Sequence, residues 1–133
     1  MFTLNSQVKL ADTDAAGILF YANYFRLAHD GYESFLEAID YSLNYVINES
    51  DILILIVHTE ADYKQSLRLG VNYTLQIKVD KIGKTSFALN YRFEDSNSQI
   101  VAVIKTIHVT VSKGKNKPVK LPEKLRDKLT QYT

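Results

Sequence analysis

The sequence predicts an α+β protein in which an antiparallel sheet of about five strands wraps around one long helix. Three observations lead there. Apolar and polar residues alternate with a period of two in several separate stretches, whereas only one stretch holds a helical period over several turns. The alternating stretches are joined by short connections, which favour antiparallel neighbours. A single apolar helix stripe must be buried somewhere, and a sheet curled around it does so economically.

Taken in order, Phe2, Leu4, Val8 and Leu10 share one parity while Thr3, Asn5, Gln7 and Lys9 share the other, a half-buried strand. Residues Ala11 to Gly17 break that pattern and read as a loop. From Tyr21 to Ile39 the apolar positions are Tyr21, Phe25, Ala28, Tyr32, Phe35, Leu36 and Ile39, with Arg26, Asp30, Glu33 and Glu37 opposite, which is an amphipathic helix. Gly31 interrupts it at a cost of up to ~1 kcal/mol and points to close approach of another backbone. Tyr41 to Ser50 reads as a loop with a short helical turn. Ile52 to Tyr63 is a strand, continuously apolar at first and alternating later. Val71 to Val79, Phe87 to Phe93 and Ile100 to Val111 are three more strands, separated by a turn at Gly83 and another at Asp95 to Ser98. The tail from Pro122 reads as a short helix with proline in its first turn.

At 133 residues the chain has the size of one domain, expected to span residues 1–133. Hydrophobic residues at 46% and charged residues at 23% suit a packed core rather than a disordered chain. A net charge of +1 gives no electrostatic case for nucleic acid. The absence of cysteine excludes disulfides, thiolate metal sites and a cysteine nucleophile. The N-terminus lacks the charged and apolar regions of a signal peptide. The longest apolar run, Ile52 to Val57, falls far short of the ~20 residues of a membrane helix. A soluble cytoplasmic protein without a membrane span is expected.

The densest polar constellation is Asp12-Thr13-Asp14 with Gly17, between the first strand and the long helix. Three readings compete. A calcium loop opens D-x-D-x-x-G, but its later ligand places hold Ala16 and Asn23 here, and a strand precedes it. A turn and helix cap would use Asp for its hydrogen bonding alone. A catalytic site would set a carboxylate beside the free N–H groups of a helix start, which stabilise charge on an attacked carbonyl oxygen while the carboxylate attacks or activates water.

The run Leu10 to Leu36, LADTDAAGILFYANYFRLAHDGYESFL, resembles the N-terminal signature of the 4-hydroxybenzoyl-CoA thioesterase family of hot-dog proteins. The shared elements are D-x-D-x-x-G and the aromatic helix start F-Y-A-N-Y. The resemblance implies a hot-dog fold and hydrolysis of an acyl-CoA thioester without a cofactor. Asp14 matches the catalytic carboxylate, the backbone N–H of Tyr21 matches the oxyanion-binding group, and Asp12 matches an acidic position of structural role. A narrower resemblance, to 1,4-dihydroxy-2-naphthoyl-CoA thioesterases of phylloquinone and menaquinone synthesis, rests on LADTD, His29 to Ser34, Ile56-Val57-His58 and His108-Val109. It sets Gly17, His29 and His58 around the substrate. The chain departs from it at Ser66 to Val71, where many relatives carry Pro-x-x-x-Gly-Asp. Hot-dog relatives join sheets edge to edge, so a homodimer or homotetramer is implied.

Several residues keep two readings. His29 lies on the apolar stripe, where a histidine is either a satisfied core group or a pocket group, and His58 and His108 lie in apolar strands, where a core role is the simpler account. No two histidines have metal-ligand spacing. Glu33 is either a solvated flank residue or a rival acid. Lys113, Lys115 and Lys117 form either a solvated loop or a contact for the phosphates of CoA. A thioesterase for aliphatic acyl-CoAs and a non-catalytic acyl-CoA-binding protein remain as alternatives to an aryl-CoA thioesterase.

Overall fold

Alternation becomes two-faced strands in the computed structural model, which describes residues 1–133. The strands are β1 (Phe2–Gln7), β2 (Ile52–Tyr63), β3 (Asn72–Ile82), β4 (Ser86–Asp95) and β5 (Ile100–Ser112). The helices are α1 (Asn23–Ala38), α2 (Leu43–Asn48) and α3 (Glu123–Thr130). The sheet runs in the order β1-β3-β4-β5-β2, and every neighbouring pair is antiparallel. Its edges are therefore β1 and β2.

One face of the sheet carries Leu75, Ile77 and Val79 from β3, Leu89, Tyr91 and Phe93 from β4, and Ala102 and Ile104 from β5, all buried. Against it α1 buries Tyr24, Ala28, Gly31, Tyr32, Phe35 and Leu36. Phe35 and Leu36 have no exposed surface, and each such side chain contributes about 1.5–3 kcal/mol through burial. Gly31 marks the closest approach. A Cβ built there would lie 2.7 Å from Leu75 Cδ2 and 3.1 Å from Ile77 Cδ1, so the helix rests on β3 side chains and not on another backbone, as the sequence suggested.

Three boundaries differ from the sequence reading. The first strand stops at Gln7, and Leu10–Asp12 form a 3₁₀ turn inside what alternation read as strand and loop. The long helix begins at Asn23, and Tyr21 is 63% exposed, so Tyr21 does not belong to the buried stripe. Pro122 flanks α3 with extended backbone (ψ 140°) instead of sitting in its first turn. Its fixed φ is compatible with either position.

Along β2 the pairing with β5 shifts between Ile56 and His58, making Val57 an extra residue. Edge strands present unpaired backbone groups and are normally shielded. Here β2 instead exposes Leu55, Ile56 and Val57, the last at 60%. No helix of the protein is long and apolar enough to cross a membrane.

Candidate active site

The Asp12–Phe20 segment folds back on itself as a small antiparallel loop. Asp14 N–H donates to Ile18 O (3.0 Å), Phe20 N–H donates to Asp12 O (3.0 Å), and Thr13 faces Leu19. Gly17 provides the left-handed residue at the tip, with φ 75°. A second loop braces this one: Leu19 N–H donates to Leu67 O (2.7 Å) and Leu69 N–H to Gly17 O (3.0 Å). The bracing loop is the stretch that lacks the relatives' Pro and Asp. Its turn closes all the same, through Val71 N–H to Arg68 O (3.1 Å) and Gly70 at φ 86°.

The two acids of the loop are in opposite environments. Asp12 is buried, its carboxylate accepting from Lys9 N–H at 2.9 Å and pairing with Arg26 of α1. Its carbonyl oxygen also accepts from the Asn23 side chain at 2.9 Å, so Asp12 ties the loop to the first two turns of α1. Asp14 is exposed, and Oδ1 accepts only from Ala16 N–H at 2.8 Å, a local turn contact. Its other oxygen is unengaged by protein.

Between this loop and α1 the chain makes one tight turn. Asn23 N–H donates to Phe20 O at 2.8 Å, and Tyr24 N–H to Tyr21 O at 3.3 Å. The N–H groups of Tyr21 and Ala22 donate to no protein acceptor. They are orphan donors at the positive end of α1, which has no acidic residue in its own first turn to neutralise it. The Tyr63 hydroxyl at the end of β2 donates to Tyr21 O at 3.1 Å and steadies the turn from the sheet side. Around it Tyr21 packs edge-on against Tyr63 and Tyr24 edge-on against Phe93, while Tyr24 and Tyr63 are tilted at 5.4 Å. Burial, reinforced by Tyr63 and then Tyr73, pushes the Tyr24 phenol up to about 12, so it stays neutral at physiological pH.

One turn further along α1, His29 is exposed rather than packed in the core. It borders an open groove of about 300 Å³ between α1 and the sheet, lined also by Phe25, Ala28, Ile56, Tyr91 and Thr106. A larger hollow, about 470 Å³, lies against β1 and β3, but its lining of Asn5, Gln7, Asn72 and other uncharged residues offers no acid, base or cation. His108 is the histidine that fills the core, fully buried between Phe87 and Tyr32.

The remaining sequence-flagged residues do not converge on the loop within one chain. His58 pairs across the strand with Ile107 and not with the inward-facing Thr106, which puts it on the opposite sheet face from His29. It is exposed and bonds to Glu60 at 3.0 Å. Lys113 is committed elsewhere: its Nζ donates to Ile47 O (2.8 Å) and Ser50 O (2.6 Å), closing the C-terminal end of α2. Lys115 and Lys117 are exposed beside it, next to the Ile52 end of β2, whereas Tyr63 and the Tyr21 turn lie at the other end. A twelve-residue strand spans roughly 40 Å at about 3.4 Å per residue, too far for these lysines to meet Asp14 in the same subunit. Glu33 is exposed and in no ion pair. No group of three or more His, Asp or Glu side chains is arranged to hold a metal.

Residues 8–129 match the Thioesterase-like superfamily, nearly the whole chain. The chain belongs to that family. Among relatives of this thioesterase-like chain, the 1,4-dihydroxy-2-naphthoyl-CoA hydrolase of Synechococcus elongatus is 29% identical over 90% of the chain and 88% of its own length. The hydrolase of the same name from Crocosphaera subtropica is 30% identical, covering 83% and 82%. A crystal structure of a 1,4-dihydroxy-2-naphthoyl-CoA thioesterase from Synechocystis superposes with a TM-score of 0.91 at 26% identity, over 97% of this chain and 95% of that one. The hot-dog fold inferred from the signature is thereby borne out, as is the likeness to this group of thioesterases.

Two structural features of the candidate site in the thioesterase-like chain leave no mark in its sequence pattern. The sequence offered no sign that Tyr63 would reach the Tyr21 turn, because the two are 42 residues apart. Nor did alternation distinguish Tyr91 and Thr106, which line the groove, from ordinary core positions.

Proposed function

We propose that this protein hydrolyses an aromatic acyl-CoA thioester, with 1,4-dihydroxy-2-naphthoyl-CoA as substrate. The observation that carries the chemistry is the exposed carboxylate of Asp14 on the loop together with the unpartnered N–H groups of Tyr21 and Ala22 in the turn that leads from it into α1. The naming of the relatives above supports the choice of acyl group.

The thioester carbonyl oxygen accepts from Tyr21 N–H, where the α1 dipole favours negative charge. Asp14 then either attacks the carbonyl carbon, expelling the CoA thiolate and forming a mixed anhydride that water cleaves to free the acid and Asp14, or takes a proton from water that attacks the carbon and expels the thiolate directly. Gly17 keeps the loop tip free of a side chain. The aryl group lies in the groove beside His29, and Phe25 and Ile56 shield it from water. The exposed apolar run on β2 supports a homodimer joined edge to edge, which would cover Leu55 and Val57 and complete each cleft with partner residues.

Turnover of an acyl-CoA panel by wild type and Asp14→Asn tests this. Hydrolysis of the hydroxynaphthoyl thioester that falls at least about a hundredfold in Asp14→Asn is the expected result. Activity within a few fold of wild type removes Asp14 from the mechanism, and preference for a straight-chain thioester removes the aryl substrate.

A further inference from the structure

The groove beside His29 is lined by Phe25, Ala28 and Ile56 together with polar side chains. Of the latter, Tyr91 and Thr106 come from adjacent strands β4 and β5. Thr106 Oγ1 lies 3.1 Å from the Tyr91 hydroxyl and 2.7 Å from His108 Nε2. These three buried groups form a continuous chain running from the core to the groove. Thioester attack at the Asp14 loop makes no use of them.

The direction of the chain follows from its inner end. Burial, and secondarily the neighbouring His29, pulls the His108 imidazole down to about 3, so it is neutral at physiological pH. A neutral imidazole carries a single N–H. His108 Nδ1 is buried with no partner, and the adjacent Tyr32 hydroxyl, also unpartnered, does not reach it. A buried N–H without an acceptor is rare and costly, so the hydrogen belongs on Nε2 and Nδ1 is left as a bare lone pair. Nε2–H therefore donates to Thr106 Oγ1. Thr106 has one hydrogen, which goes to the Tyr91 oxygen. The hydrogen of Tyr91 itself then has no acceptor within the protein, and Tyr91 is one of the residues that line the groove.

We propose that Tyr91 is a specificity-determining residue, its hydroxyl aimed by Thr106 and His108 to donate to an oxygen carried on the aromatic acyl group. This rests on the thioesterase reading and adds to it the residue that reads a phenolic oxygen carried on the ring away from the thioester. An unsubstituted ring or alkyl chain leaves the buried donor unpaired, and discrimination follows from that loss. Tyr91 is the substrate contact. Thr106 and His108 are positioning residues.

Wild type, Tyr91→Phe, Thr106→Val and Thr106→Ser are compared on 4-hydroxy-2-naphthoyl-CoA and 2-naphthoyl-CoA. Binding of the two free acids is measured in parallel by calorimetry. Wild type should favour the hydroxylated thioester by about tenfold or more in kcat/KM and rank the acids in the same order. Tyr91→Phe should lose most of that preference, its kcat/KM falling more on the hydroxylated thioester than on 2-naphthoyl-CoA. Thr106→Val should weaken the preference and Thr106→Ser restore it. A preference that survives in Tyr91→Phe, or that is absent from wild type, overturns the proposal. Should wild type hydrolyse neither thioester, the thioesterase reading fails, and the ranking of the acids still decides the role of Tyr91.

Discussion

Asp12 and Asp14 stand two residues apart, and their substitutions should separate stability from catalysis. Asp12→Ala removes the acceptor of Lys9 N–H and the partner of Arg26. A hydrogen bond to a charged, buried carboxylate contributes about 1.5–3 kcal/mol. Arg26 keeps 48% of its side chain in solvent, so the ion pair adds only about 0.5 kcal/mol after screening. The sum is about 2–3.5 kcal/mol. For a chain of this length, unfolding entropy near 2.1 cal/mol/K per residue converts 1 kcal/mol to about 3–4 °C, so the melting temperature should fall by roughly 7–13 °C. Asp14→Asn, which disturbs one exposed turn contact, should melt within about 2 °C of wild type yet lose at least about a hundredfold in kcat/KM. Calorimetry and steady-state kinetics on the two variants check both halves. If Asp12→Ala melts with wild type, or Asp14→Asn unfolds early while retaining activity, the division of labour between the two acids is wrong.

Other outcomes follow from the same geometry. Sedimentation at micromolar concentration should give a species heavier than 15.2 kDa, and a charged residue at Val57, as in Val57→Lys, should shift it toward the monomer. His29→Ala should reduce the preference for hydroxylated aryl thioesters more than it reduces turnover of the unhydroxylated compound; an equal loss on both would leave His29 without a role in selection. His108 titrates lower folded than unfolded, so the unfolded chain binds the extra proton as pH falls. Its contribution is complete above the ordinary value near 6.5 and should drain away between there and about 3, by up to about 1.4 kcal/mol per pH unit. Chemical denaturation from pH 7 to pH 4 should reveal a shallower slope in His108→Gln.

The strands were legible because each has one wet face and one dry face, which writes a period of two into the residues. The helix was legible for the parallel reason, but its start was not. Tyr21 is aromatic and falls in phase with Phe25, yet the chain turns there and leaves it in solvent. Phase alone could not separate a buried ring from one that crowns a turn. His29 illustrates the same limit: it borders the buried stripe, and only the separation of α1 from β2 makes its surroundings a groove. Lys113 looked like part of a basic run, and its neighbours in space, the carbonyls ending α2, come from residues more than sixty positions earlier. The Asp12 and Asp14 roles were separable only through the family signature, since composition treats both as turn formers.

The extra residue at Val57 also sets which way the rest of β2 faces. Before it, Ile54 and Ile56 lie over Thr110 and His108; after it, Thr59, Ala61 and Tyr63 lie over Thr106, Ile104 and Ala102. The inward parity thus changes from even to odd midway along one strand, which is why the segment reads as solidly apolar and then as alternating. Tyr63 meets Tyr21 only by virtue of that change. Were Val57 paired in the ladder instead of set aside, the second half of the strand would rotate, offering Asp62 to the turn that holds the free N–H groups and sending Tyr63 outward. The bulge therefore absorbs one residue of chain length while keeping the half of β2 next to the site in phase.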